Sequence, residues 1–498
     1  MYQSRFIKGN CEKKKLYKKY SNKLNKIKFA SKKIYYQSEL QQSKHQAFRT
    51  WNIIKSLLPS SRKSNTIPEK IKINNNTITD IASMTENFND YFSNIGQNLA
   101  SKIVLNNERA YKNYLSKSVS SSMFLEPTSH LEVKQQIYSL SSKKSSGPDE
   151  ISAHFLVVAA NVLAFPLTIL FNYAFEFGIF PSCLKTAKVI PIFKSGIKTD
   201  ISNYRPISIL SYFSKNFEKL VCKRTRSFLD KNSVLLPTQY GFRPLYSTSH
   251  AMLDLLTTSL DNINCNKSTA LILLDLKKAF DTLNHNILIN KLLHYGIRRT
   301  ANSLFASFLS NRYQYVSLNG VKSTTKSIKC GVPQGSVLGP LLFTLYINDI
   351  SNCTTCDPRL FADDTCLILH NDNLLALNNL VTDEVNAVNK WMNANKLTLN
   401  VSKSNIIVIS SSNNKSKKNN NFASSSVDST TSNLTRITTN NAKYLGVTFD
   451  NCLSFKTHIN TLEKTLSRAV GILAKVKPFL NKKAMLLLYY AIFHSHLQ

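Results

Sequence analysis

Acidic residues are scarce in this 498-residue chain: 29 Asp and Glu stand against 64 Lys and Arg, leaving a net charge of +35. Fold stability does not require such a bias, and self-repulsion opposes it. It points to a large polyanionic partner. Nucleic acid comes first, because its phosphates release counterions when Lys and Arg neutralise them, and an anionic membrane comes second. A disulfide framework is also missing, since nine cysteines, an odd number at irregular spacing, imply a reducing interior. The N-terminus has lysines where a signal peptide has its apolar core. Long apolar runs are nearly absent too. The one stretch from Phe155 to Phe171 is broken by Asn161, Pro166 and Thr168, which favours a buried core helix over a membrane span. The expectation is an intracellular protein, in nucleus or cytoplasm, neither secreted nor transmembrane, with no internal repeat.

A hydrophobic content of 43% is enough to build real cores and excludes disorder throughout. Residues 1–63 hold seventeen Lys or Arg against Glu12 and Glu39, so +15 of the charge sits there. Leu16, Tyr17, Tyr20, Leu24, Ile27, Phe29, Ile34 and Tyr35, then Phe48, Trp51, Ile54 and Leu57, recur at helical spacing until Pro59. The pattern predicts a basic helical arm (1–65) that contacts phosphates. A polar helical linker region (66–125) follows, with Ser-rich punctuation at Ser118 to Ser122. The Asn- and Ser-rich text from Ser410 to Ser432 predicts a solvated loop.

Chemistry concentrates between these regions. Thr269 to Leu274 is an apolar run long enough for one buried strand, and it ends in Asp275. Leu360 to Leu369 places Asp363 and Asp364 between two apolar stretches, the pattern of a hairpin with both acids at its turn. Adjacent carboxylates repel. A pair of divalent cations shared with Asp275 offsets the repulsion and supplies the geometry for in-line attack on a phosphate. Between the acidic sites, Gly331-Val-Pro-Gln-Gly-Ser-Val-Leu-Gly-Pro340 is a glycine-bearing loop leading into an apolar helix. Its small residues allow backbone to approach a flat ligand such as a base pair.

With these blocks in hand, the sequence resembles the reverse transcriptases of non-LTR (LINE-type) retrotransposons. The resemblance is ordered: Ser145-Ser-Gly-Pro-Asp149, then Phe180-Pro with Ala187-Lys-Val-Ile-Pro-Ile-Phe-Lys194, Asn203-Tyr-Arg-Pro-Ile-Ser208 and Gln239-Tyr-Gly-Phe-Arg243. Leu274-Asp-Leu-Lys-Lys-Ala-Phe-Asp281 is similar to motif A, the Gly331 block with its Tyr346-Ile-Asn-Asp349 ending to motif B, and Phe361-Ala-Asp-Asp364 to motif C. Leu399-Asn-Val-Ser-Lys403 and Lys443-Tyr-Leu-Gly-Val447 are similar to motifs D and E. The resemblance implies an α+β right-hand polymerase: fingers and an antiparallel palm sheet over 126–455 (core about 175–450), then a partial helical thumb at 456–498, all preceded by the basic helical extension.

Residue by residue, the resemblance implies that Asp275 and Asp363, with Asp364 beside them, bind two Mg²⁺, Mn²⁺ being possible. It implies that Arg205, with Lys194 or Lys188, contacts the triphosphate; that Phe280 blocks a ribose 2′-hydroxyl; that Gln334 and Gly335 line the nascent base pair; and that Lys403 protonates the leaving pyrophosphate. Asp281 reads as structural. The implied partners are template RNA, including the element's own RNA, a DNA primer and dNTPs, with no membrane; oligomeric state stays open. Glu150 departs from a common glycine, Leu184 from tryptophan and Ser404 from threonine, all outside the metal site. Cys353-Thr-Thr-Cys356 lacks the second pair of a zinc ribbon. No endonuclease set is legible in 1–142, so the chain reads as a fragment of a longer element protein. Two rivals remain: a decayed or domesticated copy acting only as an RNA-binding protein, which the three aspartates argue against, and an RNA-dependent RNA polymerase, which Phe280 argues against.

Overall fold

The computed structural model describes residues 11–43, 46–57, 68–73, 76–103, 107–140, 145–410 and 439–497. Pro59 and all of the expected polar loop beyond Ser410 fall outside them. Two compact units emerge, 66–454 and a second made of 1–65 together with 455–498.

The strands of the two main sheets in the larger unit are β1 (Thr186–Phe193), β2 (Tyr204–Ile209), β3 (Ser268–Leu274), β4 (Arg312–Leu318), β5 (Val321–Lys322), β6 (Lys326–Ile328), β7 (Arg359–Phe361), β8 (Asp364–Asn371) and β9 (Asn405–Ile409). β3 is buried along its whole length because Ala270 to Leu274 present apolar side chains to both faces. It therefore takes a central place in a four-stranded antiparallel sheet of order β9-β3-β8-β7. Ala270, Ile272 and Leu274 of β3 join Leu367 and Leu369 of β8 and Trp391 of the helix Leu374–Ala394 in the main core. The second sheet has order β2-β1-β4-β5, with β6 on β4 and β1 parallel to β4.

The region expected to be a polar linker is a structural layer. Its helix Ile81–Ala100 lays Met84, Phe88 and Phe92 on Val189, Tyr204, Val316 and Leu318 of the second sheet. Glu86 and Asp90 bind Thr324 and Lys326, and the Asn89 amide donates to the Thr324 carbonyl at 2.7 Å. The Ser-rich segment is equally fixed. The Arg298 guanidinium donates to the carbonyls of Val119, Ser120 and Ser121, and the Val119 amide donates to the His294 carbonyl at 3.1 Å. Polar text read as a linker because its partners lie about 100 to 240 residues away.

The apolar stretch near Phe155 also differs from expectation. The helix Ala160–Phe177 buries one face, Ala160, Ala164, Leu167, Phe171, Ala174 and Phe175, while Val162, Phe165, Ile169, Leu170 and Tyr173 are exposed. By length and composition this is the one helix among the described residues that could cross a membrane. Cys353 and Cys356 are part-buried, with thiols pushed up to about 12 and about 11 by burial, and among the described residues they belong to no cluster that could hold a metal.

In the smaller unit, Leu40 and Ile54 from the arm helices Cys11–Gln42 and Ala47–Leu57 share a core with Val476, Leu480, Ala484 and Leu488. Arm and tail, expected as separate domains, thus make one unit built on the helices Lys456–Val476 and Lys482–Ile492. From Leu16 to Tyr35 the arm's apolar side chains stay exposed beside its lysines.

Candidate functional site

The register of the central sheet brings the acids together. Thr365 of β8 pairs with Leu274 of β3, so the next residue along each strand, Asp364 and Asp275, meet at the same sheet end. Asp363 sits one residue earlier, in the two-residue turn between β7 and β8, where Ala362 adopts a positive φ of 57°. The turn is held from outside by Gln239-Tyr-Gly-Phe-Arg243. The Tyr240 amide donates to the Leu360 carbonyl at 2.8 Å, and a β-carbon on Gly241 would lie 2.1 Å from the Ala362 nitrogen. Only glycine fits there.

Like charges at this sheet end raise the proton affinity of Asp363 and Asp364. Burial pushes the Asp363 carboxyl up, with Asp275 adding to it, and Asp364 is pushed up to about 6 by burial and then by Asp363 and Asp275. Cations answer from two sides. β1 and β2 pair so that Ile192 faces Arg205, and alternation sets Lys188, Lys194 and Arg205 on the sheet face opposite the Val189 and Tyr204 layer. Lys194 is lowered by desolvation and by its neighbours Arg205 and Lys403, while Asp275 acts in the other direction. Lys403 places Nζ 4.0 Å from Asp275 Oδ2. Lys188 lies at the far end of β1, about 20 Å along the strand at the usual rise per residue, opposite Ile209 and Tyr315. Lys194, Arg205 and Lys403 are thus gathered round the acids, and Lys188 is not.

Among the described residues no three His, Cys, Asp or Glu side chains form a ready-made metal cage. Asp275 Oδ2 is turned onto the Asn400 amide, which donates at 2.6 Å, and toward Lys403. The donor set nevertheless has the chemistry a hard divalent cation takes: carboxylate oxygens only, at one sheet end, with two of the three held above the ordinary carboxylate range by burial and mutual repulsion.

The tail of motif A and the glycine-bearing loop are stapled to each other. Gly331 and Val332 amides donate to the Leu283 and Phe280 carbonyls, both at 2.8 Å. The Gln334 amide nitrogen donates to both carboxylate oxygens of Asp281, at 2.8 and 3.0 Å. Burial pushes Asp281 up to about 6 against these bonds. Gly335, at φ 130°, lies so close to β2 that a β-carbon would stand 2.4 Å from the Ser208 carbonyl oxygen. The small residue expected to admit a flat ligand admits β2 backbone. Phe280 is part-buried, stacked on Phe343 with centroids 4.9 Å apart and edge-on to Phe242 at 6.0 Å.

Three residues that sequence reasoning passed over hold this frame. Glu218 accepts from the amides of Val337 and Leu338 at 2.7 and 3.1 Å, capping the helix Leu338–Ile347 from a distance, and burial raises its carboxyl. Lys278, at φ 50°, reaches the Ser202 and Tyr204 carbonyls at 3.0 and 3.2 Å and so ties the motif A turn to the second sheet. Asn400 grips Asp275. Lys278 and Asn400 stand inside recognised blocks, Glu218 in none, and no periodic signal marks any of the three. Departures find their places too. The Ser404 hydroxyl accepts the Asp275 amide at 3.2 Å, a bond threonine also makes. Glu150, where glycine is common, sits at φ 59°.

A family model described as "Reverse transcriptase (RNA-dependent DNA polymerase)" matches residues 194–449. The chain is 27% identical over 381 residues to the RNA-directed DNA polymerase from mobile element jockey of Drosophila melanogaster, covering 73% of this chain and 39% of that protein. It is similarly 27% identical to the probable RNA-directed DNA polymerases from transposon BS and from transposon X-element of the same fly, over 74% and 72% of this chain and 40% and 39% of theirs. The chain therefore spans about two fifths of the length of these relatives.

Proposed function

The chain belongs to the reverse transcriptase (RNA-dependent DNA polymerase) family, in its LINE-type, non-LTR branch, and from that premise we propose that it extends a DNA 3′-end on an RNA template, the element's own RNA, with dNTPs as substrate. The observation that carries the reading is the meeting of Asp275, Asp363 and Asp364 at one sheet end, ringed by Lys194, Arg205 and Lys403. In this reading the four-stranded sheet is the palm, the second sheet belongs to the fingers, and the helices after Phe455 begin a thumb.

Nucleotidyl transfer joins the primer 3′-oxygen to the α-phosphorus of the dNTP and releases pyrophosphate. Its demand on a protein is alignment and charge neutralisation more than covalent chemistry. Reverse transcriptases use divalent metal ions. Asp275 and Asp363, with Asp364 beside them, would hold two Mg²⁺, which would supply Lewis-acid stabilisation of the phosphate oxygens. Arg205 and Lys194 face the triphosphate from the sheet edge; the guanidinium offers paired donors to phosphate oxygens and the ammonium a point charge. Lys403 delivers a proton to the leaving pyrophosphate. Phe280 walls the sugar, and Gln334, tied to Asp281, steadies the motif B loop beside it.

Asp363→Asn removes one carboxylate and keeps the turn's shape. Primer extension on an RNA template should fall to the no-enzyme level while affinity for the template is largely retained, since in this reading Asp363 serves the metal ions and makes no contact with the template's phosphates. Extension retained by this variant rejects the assignment.

A further inference from the structure

The acids that do the chemistry are set by their sheet register, but register alone leaves a carboxylate free to rotate. Asp275 lies just past the end of β3, where no ladder pair fixes it. The turn 400–404 replaces that missing partner. The Asn400 backbone amide donates to the Asp275 carbonyl at 2.8 Å, and the Ser404 hydroxyl accepts from the Asp275 amide at 3.2 Å. Both main-chain groups of Asp275 are thereby held by one turn. The turn itself is rigid: the Asn400 carbonyl accepts from the Lys403 and Ser404 amides and the Ser404 hydroxyl, all at 3.0 Å.

On that base the Asn400 side chain makes one further bond, from Nδ2 to Asp275 Oδ2 at 2.6 Å. Its amide cannot be the other way round, because the Ser402 hydroxyl donates to Asn400 Oδ1 at 2.9 Å and a carboxylate oxygen needs a donor. One oxygen of Asp275 is thus committed, with Lys403 4.0 Å from the same atom. We propose that Asn400 is a positioning residue for the metal site: by occupying Oδ2 it fixes the rotation of the Asp275 carboxylate and leaves Oδ1 as the oxygen offered to a divalent cation. Outer partners of this kind orient metal-binding groups, and their loss typically weakens metal affinity by about 10 to 100-fold. The inference rests on the reading of Asp275 as a metal-binding residue.

The test is Mn²⁺ binding to the full chain without primer, template or nucleotide, followed by electron paramagnetic resonance of the free ion, with a thermal melt of each variant in metal-free buffer. Asn400→Ala should weaken Mn²⁺ binding by about 10-fold or more while the melting temperature of the metal-free protein hardly moves, because the backbone bonds of the turn remain. Ser402→Ala, at an exposed position whose loss leaves every backbone bond intact, should weaken binding in the same direction and by less, since the Asn400 amide loses one of the two bonds that hold its orientation. Parental affinity in both variants, or tighter binding in Asn400→Ala, overturns the proposal. Tighter binding in particular makes Asn400 a competitor of the cation. Asp275→Asn separates the two layers of argument. If it binds Mn²⁺ as the parent does, the metal reading of Asp275 fails. If it loses the ion while Asn400→Ala keeps it, only the positioning role fails.

Discussion

Phe280 has to serve two masters. As the proposed wall beside the incoming sugar it would govern nucleotide choice, yet its stacking on Phe343 and its edge contact with Phe242 make it a packed side chain as well. Phe280→Val should therefore cost stability, on the order of 1 to 3 kcal/mol for the missing ring packing and buried area, whatever its role toward substrate. A thermal melt alone cannot decide the role. The deciding measurement is the ratio of kcat/KM for dNTP and rNTP in primer extension. The gate predicts a shift toward rNTP, and an unchanged ratio returns Phe280 to packing alone. Asp281, its neighbour, offers a cleaner electrostatic test. Its carboxyl is pushed up to about 6 in the folded chain from an ordinary 3.8. Between those values the folded state holds more protons than the unfolded one, so this group's contribution to stability falls as pH rises from about 4 to about 6. An amide in its place has no proton to give up and still offers an oxygen to Gln334. The Asp281→Asn variant should thus gain on the parent across that window, by about 3 kcal/mol at most by pH 7. Parallel stability-versus-pH curves for the two proteins contradict the assignment.

The elements differ in how legible they were. β3 and the hairpin of β7 and β8 announce themselves because an apolar run ending in acid is a local pattern, and local patterns set register. The packing of the helix Ile81–Ala100 on the second sheet and the Arg298 clamp on residues 119–122 were hidden, since their apolar and polar partners lie far along the chain. The arm lies between these cases. Its helix and charge were readable, but its packing against the C-terminal helices was not, and that packing changes how its role should be probed. Removing residues 1–63 would strip Leu40 and Ile54 from Val476, Leu480 and Leu488 and unfold the unit rather than test its charge. Replacing the exposed Lys15, Lys18, Lys19, Lys23 and Lys26 by Gln leaves that core intact. If the arm lies on RNA, the slope of log affinity against log salt should flatten by about 0.7 for each single-strand phosphate the arm no longer neutralises, with the larger value of about 0.9 for duplex. An unchanged slope makes these lysines a solvated face.

At the scale of the whole molecule, the long-range frame rests on charges that the sequence displayed as a family mark and whose physics only the fold explains. In Tyr346-Ile-Asn-Asp349, the Tyr346 hydroxyl donates to the Asn395 carbonyl at 2.6 Å, and Asn348 both accepts from the Leu236 amide and donates to the Val234 carbonyl. Asp349 pairs with Lys291 at 2.6 Å, both side chains essentially without solvent exposure. Lys291 also donates to the Tyr346 carbonyl and lies over the rings of Tyr346 and Trp391. One block thereby fastens the helix His285–His294, the chain near 235 and the helix Leu374–Ala394 to the helix that follows the motif B loop. Burial lowers the Lys291 ammonium and raises the Asp349 carboxyl, while each partner opposes the shift of the other. Desolvation makes such a pair costly to form, so its value appears when one member is removed. Lys291→Met should destabilise the chain by about 3 to 5 kcal/mol, because Asp349 is left buried without its counter-ion. Adding Asp349→Leu removes the stranded charge and should recover most of that loss. Denaturant unfolding of the parent, the two single variants and the double variant forms the cycle that measures it. If the double variant is no more stable than Lys291→Met, the hydrogen bonds and ring contacts of the lysine, rather than its pairing with Asp349, hold these helices together.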